Sequence, residues 1–551
     1  MAIYRILGKN VVWFDEESNN KYWLQLSKHI KTIHPKINNK DPNEVVKIFK
    51  ECFNYLISLF EKEIQDEKDI SFFSYVYGMH ENSIEIYLMQ LNGEELNNFK
   101  KADFALYRRI LKLILEQAPK MSLTVGKDLR TDVVRNKERY QEKLQDLIFL
   151  GVWIYGISEY VARMDIMGPV HGIQFEEDET LSFLTWYPFQ NIIEAIEADY
   201  YTHTHKVVVD INGINELNSA IQKYLGVDPS IALGILGRQF KEPQLRFGLI
   251  PIEVLKKEII SNHGVREEDL DQYYAGISLN LNNALPISQS VLNPQDQNRY
   301  IYRPLLDLNT NIGNVALISV DKFSESNITL TTNAIPWGIA PQEWLDNEGF
   351  KQFVEQKNAN HDKLLENEVQ YLIEAVGIPF VRNIKSFRQL SGDYISCDIK
   401  GVGEMDFLFI HPEQKTLYIV ECKHNRSRYD MVSWRKEYSN FTIGYEQRLQ
   451  AKVNWVDENK EAVDQHFKQL HKESDILKFS IVGIFIINAP NFYLYNGNLP
   501  CYTLNTFEQL LNNTYSPITF EIIINRHGRK DITVPVDRPY FTNALKLIPN
   551  K

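Results

Sequence analysis

Cysteine is scarce. Cys52, Cys397, Cys422 and Cys501 are the only four in 551 residues, widely separated and without a CxxC pair. That excludes a zinc knuckle, argues against a disulfide framework and points to a reducing compartment. A basic excess is missing too. The formal net charge is −12, carried by roughly the first 350 residues, while the last two hundred are close to neutral. Bulk electrostatics therefore do not suit the surface to nucleic acid, although a locally basic groove would still serve an enzyme. Long apolar runs are absent as well. The most apolar helical stretch, Leu147–Ile157, is bounded by Asp146 and Glu159, and about a dozen residues cannot span a bilayer core. The opening MAIYRILGKNVVWF lacks the charged-then-apolar layout and the cleavage site of a secretory signal. A soluble, cytoplasmic protein without a membrane partner is the expectation. There is no fixed-period repeat, low-complexity tract, Walker sequence, helicase motif or G-x-S-x-G elbow.

What is present suffices for well-packed domains: 44% of residues are hydrophobic and 12% aromatic. The length predicts two to four domains. Residues 1–168 read as mostly α-helical. Asp41-Pro42-Asn43-Glu44 is a helix start, followed by Val45, Ile48, Phe49, Cys52, Phe53, Leu56 and Phe60 at helical spacing. A second helix is expected over Ala102–Gln117, and one long helix over 128–165, whose charged first half reads as a solvated face. Residues 169–340 read as an α+β region serving regulation, partner binding or substrate selection. Strands are expected at Lys206–Ile211, Tyr300–Leu308, Val315–Val320 and Ile328–Thr332, and a flexible loop over Asn282–Arg299. Residues 341–515 read as an α/β domain with a mixed sheet flanked by helices, in the order helix, hairpin, helix, strand, strand, helix. Residues 516–551 read as a β-rich tail with a basic turn at Arg526–Lys530, taken as an ordinary turn.

The chemistry concentrates in one hairpin, GEMDFLFIHPEQKTLYIVECK, from Gly403 to Lys423. Two apolar strands, Phe407–Ile410 and Leu417–Val420, are joined by a polar turn. A hairpin centred between Glu413 and Gln414 sets Asp406 opposite Glu421, and directly opposed Cβ atoms lie roughly 4.5–5.5 Å apart. Glu421 and Lys423 differ by two and share a face. The strands are apolar on both faces, which predicts a central sheet pair. Facing carboxylates there are costly without a cation.

This constellation resembles the PD-(D/E)XK nuclease superfamily, whose restriction-endonuclease-like fold would cover about 365–515. Asp406 matches the first acid and Glu421-Cys422-Lys423 the acid-x-Lys; Met405 stands where the named proline would be. The resemblance implies a catalytic glutamate on the preceding helix, and Glu366 fits with Val369, Leu372, Ile373 and Gly377 in step. It also implies a glutamine on the following helix, with Gln447 first and Gln450 second, and the Cys422 carbonyl as a further metal ligand.

The expected activity is metal-dependent hydrolysis of DNA phosphodiesters. Mg²⁺, or Mn²⁺, would be held by Asp406, Glu421, the Cys422 carbonyl and Glu366, with Lys423 stabilising phosphoryl charge. Arg426, Arg428, Tyr429, Trp434, Arg435 and Lys436 interleave basic and aromatic side chains after the second strand. That composition suits phosphate contact and base stacking. By analogy the chain would be a prokaryotic antiviral defence effector, dimeric if it cuts both strands, with a protein activator acting through the N-terminal region. The alternatives are a non-cleaving nucleic-acid-binding or scaffold protein on the same fold, and an RNA-directed nuclease. His203 and His205 would share a strand face, but no acid or cysteine completes a zinc set, so they read as structural. Gly234 and Gly237 lie inside a helical pattern and form no phosphate loop.

Overall fold

The architecture follows from a computed structural model that describes residues 3–6, 9–12, 20–91, 101–203, 210–231, 247–426, 430–471, 476–524 and 532–547. The chain divides into two compact units. One comprises residues 1–161, 173–183 and 206–359, and the other 162–172, 184–205 and 360–551. The expected boundary near 168 therefore does not separate two domains, and the 516–551 tail belongs to the second unit.

The first unit is helix-rich. Pro42–Gln65 begins where the Asp-Pro signal sits, and Asp41 accepts a hydrogen bond from the Asn43 N–H at 2.9 Å. Its whole apolar stripe is buried. Ile70–Leu91 is buried around most of its circumference and so carries little periodic signal in the sequence. The expected 128–165 helix is two, Leu129–Arg135 and Lys137–Met167, separated at Asn136. Lys137–Met167 is long and apolar enough, by composition, to cross a membrane, and 67% of its most apolar window is buried inside the fold.

A five-stranded sheet lies in this unit, with Ser122–Leu123, Leu305–Thr310, Gly313–Ser319 and Phe247–Pro251 in that order and Ser278–Leu279 also paired with Leu305–Thr310. Two expected strands are thus present, with Tyr300–Leu308 shifted to 305–310. Ile328–Thr332 is instead the end of the helix Val320–Asn333. Its β-branched residues are reconciled to the helix by hydroxyl bonds to the preceding turn: Thr329 to the Glu325 carbonyl at 2.8 Å and Thr331 to that of Asn327 at 2.9 Å. Ile211 opens a helix, Ile211–Leu225, capped by Asp210, and residues 206–209 of the expected strand lie outside the described residues. So do His205, Gly234, Gly237 and the turn Arg526–Lys530. The expected loop 282–299 contains a short helix, Ile287–Leu292, with Ile287 and Val291 in the interior. The same unit encloses an ionic cluster: Glu325 is 2% exposed, accepts from Lys322 at 2.7 Å and pairs with Arg108.

The second unit is built on one five-stranded sheet. Its strands are β1 (Phe380–Ile384), β2 (Met405–His411), β3 (Thr416–Lys423), β4 (Ser480–Ile487) and β5 (Cys501–Thr503), lying side by side in chain order. The pairs β1–β2 and β2–β3 are antiparallel, while β3–β4 and β4–β5 are parallel. The sheet is therefore mixed, as expected, and the hairpin is central.

Strand alternation divides its side chains between two cores. Phe407, Phe409, Tyr418, Val420, Ile484 and Ile486 pack with Leu365, Val369 and Ile373 of α1 (Glu348–Ala375) and with Phe507, Leu510 and Leu511. Leu408, Ile410, Leu417, Ile419, Phe485 and Ile487 pack on the other face. There they meet Phe441, Leu449, Trp455 and Val456, contributed by the helical stretch that follows the hairpin. That stretch is α2 (Met431–Asn440), a π turn at Phe441–Tyr445 and α3 (Glu446–Glu458). Helices thus cover both faces of the sheet, one layer on each side. Two helical segments from earlier in the chain and the tail complete this unit, with Phe189 stacked on Phe541 at 6.3 Å.

Candidate active site

The hairpin register pairs Phe407 with Val420, Leu408 with Ile419 and Ile410 with Leu417. Carried one step further, it sets Asp406 opposite Glu421. The turn closes through Lys415, whose φ of 49° lies in the left-handed region. By alternation Asp406, Glu421 and Lys423 belong to the face that carries Leu408 and Ile419, which is the α3 side.

Glu421 is 7% exposed, and both its oxygens are taken. Lys423 Nζ donates to Oε2 at 3.0 Å, while Lys452 of α3 donates to Oε1. Lys452 also donates to the Glu404 carbonyl at 2.5 Å, tying the start of β2 to the end of β3. Asp406 Oδ2 accepts from the Cys422 N–H at 2.7 Å, closing the strand end with a side chain. Burial, and then the Glu421 charge, push the Asp406 carboxyl up to about 6, against Lys423, the Cys422 N–H and Lys452. Burial pulls the Lys423 ammonium down, but Glu421 and Asp406 outweigh it and hold the amine above its ordinary value. The Lys423 ammonium also lies 5.0 Å from the Tyr445 ring centre.

A cavity of about 330 Å³ opens over this face. The loop Gly401–Glu404 forms one wall, and Tyr445, Arg448 and Lys452 form another. Glu421 and Lys423 complete the lining. Three cations, Lys423, Arg448 and Lys452, and two carboxylates, Glu404 and Glu421, therefore line one concave, half-open space, with Asp406 outside its lining.

Of the residues proposed from sequence, the structure brings Asp406, Glu421 and Lys423 together. The charge of Glu366 acts on Cys422, between Glu421 and Lys423, from the other side of the sheet. Glu366 sits on α1, which covers the opposite face, and its Oε2 accepts from Arg382 Nη2 at 2.7 Å. Gln447 is exposed on α3, as is Gln450, which bonds Asn454 at 2.9 Å. On a helix Gln447 stands about 140° around from Lys452, so the residue α3 turns to the acids is the lysine.

The basic and aromatic segment is not an open loop. Asp430 caps α2 through the Ser433 N–H at 2.7 Å. Trp434 is 3% exposed, with the rings of Phe492 and Tyr495 each 6.4 Å away, so its ring is buried and not open to a base. Arg426 is buried, and Arg435 pairs with Asp165 at 2.7 Å. Lys436 is exposed, while Arg428 and Tyr429 lie outside the described residues.

Lys452, Arg448 and Tyr445 were missed by the sequence reading. The signal that could have found Lys452 is a lysine in the apolar stripe Leu449, Trp455, Val456, where an ammonium needs a buried partner.

The donor chemistry fits one hard divalent cation. Two carboxylates, one raised by burial and then by its neighbour's charge, converge from adjacent strands, which is where a cation relieves repulsion. Among the described residues no third His, Cys, Asp or Glu joins them. Comparison of the chain with protein-family models, with curated proteins and with solved structures returned no match.

Proposed function

We propose that the chain is a metal-dependent nuclease that hydrolyses DNA phosphodiesters at Asp406, Glu421 and Lys423, on a restriction-endonuclease-like fold. One observation carries the reading: an acid, an acid and an amine on one face of a central hairpin, of which Glu421 and Lys423 line a cavity together with Arg448 and Lys452. Asp406 and Glu421 would hold Mg²⁺ or Mn²⁺, which when bound supplies Lewis-acid stabilisation of phosphoryl charge. Lys423, with its side chain 23% exposed, reaches the cavity and can hold a phosphoryl oxygen or orient the attacking water. Arg448 offers a planar fork to a flanking phosphate. The half-buried site limits bulk water, which strengthens each of these contacts.

The second reading, a non-cleaving nucleic-acid-binding or scaffold protein, draws on the lysine pair that neutralises Glu421 internally. Incubation with single- and double-stranded DNA and RNA, with and without Mg²⁺ or Mn²⁺, separates the two. The nuclease reading expects metal-dependent cleavage of DNA that Lys423→Ala abolishes while the circular dichroism spectrum is unchanged. Cleavage of RNA alone would reassign the substrate, and no cleavage of any substrate would leave the scaffold reading.

A further inference from the structure

Both oxygens of Glu421 already accept from an ammonium. Lys423 donates to Oε2 and Lys452 to Oε1, so a cation ligated by Glu421 would have to bind against the positive charge of both ammoniums. The two lysines are not equivalent. Lys423 extends from the same strand as Glu421, is partly exposed and lines the cavity, so it can turn toward substrate without leaving the site. Lys452 comes from α3, is 5% exposed, and bridges Glu421 to the Glu404 carbonyl, two residues before Asp406. It spans the ends of the two acid-bearing strands, and its charge acts on Asp406 as well.

We propose that Lys452 is a built-in counter-ion that occupies Glu421 in the cation's stead and must withdraw before the cation binds. This rests on the nuclease reading of the same site. Metal loading is then opposed by the protein itself. A contact that shifts α3 or the Gly401–Glu404 loop would favour the loaded form by freeing Lys452.

The test is Mn²⁺ binding to the full chain without substrate, read by electron paramagnetic resonance of the free ion and by the thermal shift. Removing a positive charge next to a divalent cation in a half-buried site is worth about tenfold or more in affinity. Lys452→Gln is therefore expected to bind Mn²⁺ at least about tenfold more tightly than the parent. Lys452→Arg should bind no better than the parent.

Unchanged or weaker binding in Lys452→Gln, with binding abolished by Glu421→Gln, would overturn the proposal and leave the nuclease reading standing. Equal tightening by Lys423→Gln would also overturn it, since the competing charge would not be specific to Lys452. Mn²⁺ binding that ignores Asp406→Asn and Glu421→Gln would remove the site reading and the proposal together.

Should Lys452→Gln fail to fold, the parent supplies a second measurement. Saturating Mn²⁺ should raise acetylation of Lys452 by acetic anhydride several-fold, read by mass spectrometry of peptides. No change in that labelling would overturn the proposal.

Discussion

Asp406 is the residue at which charge and fold oppose each other most directly. Its carboxyl sits at about 6 in the folded chain, because burial and then Glu421 disfavour its charged form. An unfolded aspartate titrates near 3.9. Between those values the folded chain keeps a proton that the unfolded chain has released. Stability therefore falls as pH rises through about 4 to 6, and the loss is complete above that window. Asp406→Asn keeps an oxygen for the Cys422 N–H and removes the charge. In chelator at pH 7.5 it should be more stable than the parent by up to about 2 kcal/mol, and at pH 4 the gain should vanish. Urea titrations at the two pH values check this. A less stable variant at pH 7.5 would mean that the two lysines more than offset the repulsion.

At this scale the sequence was legible wherever the period was two. Asp406, Glu421 and Lys423 share a face in sequence and structure alike, because alternation and a tight turn set it. Lys452 was not legible, because its partner is Glu421 on a strand that only packing brings against α3. Trp434 was read as a stacking platform because it stands among basic residues, yet its ring is buried beside Phe492 and Tyr495 from a later part of the chain.

Among the elements, α3 supplies the lysine that reaches Glu421, and Gly483 on β4 lets that helix approach. A Cβ there would lie 2.8 Å from Val453 Cγ2 and 2.9 Å from Leu449 Cγ, both on α3. Gly483→Val should therefore push α3 outward at a cost of about 1–3 kcal/mol. It should also weaken the hold of Lys452 on Glu421. Chemical denaturation gives the first quantity. Faster hydrogen exchange over 446–458 than over 416–423, relative to the parent, gives the second. A variant as stable as the parent would show that Leu449 and Val453 can yield.

Element existence was mostly legible: the Asp-Pro cap, the hairpin and the strand Ser480–Ile487 are where the pattern put them. Ile328–Thr332 was not, because β-branched residues suggest a strand unless their hydroxyls find carbonyls one turn back. The π turn at Phe441–Tyr445 was also invisible. One extra residue in a turn rotates everything after it by about 100°, and no side-chain period announces it.

The whole molecule keeps separate cores in its two units, and an ionic cluster holds one of them. Glu325 faces Lys322 and Arg108 in the first unit, with Lys112 and His80 also acting on its charge. Burial opposes its ionisation, but the surrounding cations outweigh it and hold it well below the usual carboxylate range. Glu325→Gln would leave those cations buried without their counter-charge, a loss of about 3–5 kcal/mol. Hydrogen exchange should then accelerate over 320–333, while the sheet strands 405–411 and 416–423 keep their protection. Equal acceleration in both would mean that the units unfold as one.

What the sequence determined by itself is local. Period two on a hairpin, caps on helices and the acid, acid, amine arrangement each depend on residues within a turn or a strand of one another. The tertiary structure alone decided what meets across distance. It set the joining of helical and α+β regions in one unit, the pairing of Glu366 with Arg382 on the far face, and the lysine that α3 lays on Glu421. The physical reason is that backbone geometry fixes neighbours along the chain, whereas partners across a sheet are chosen by which cores close and which charges they bury.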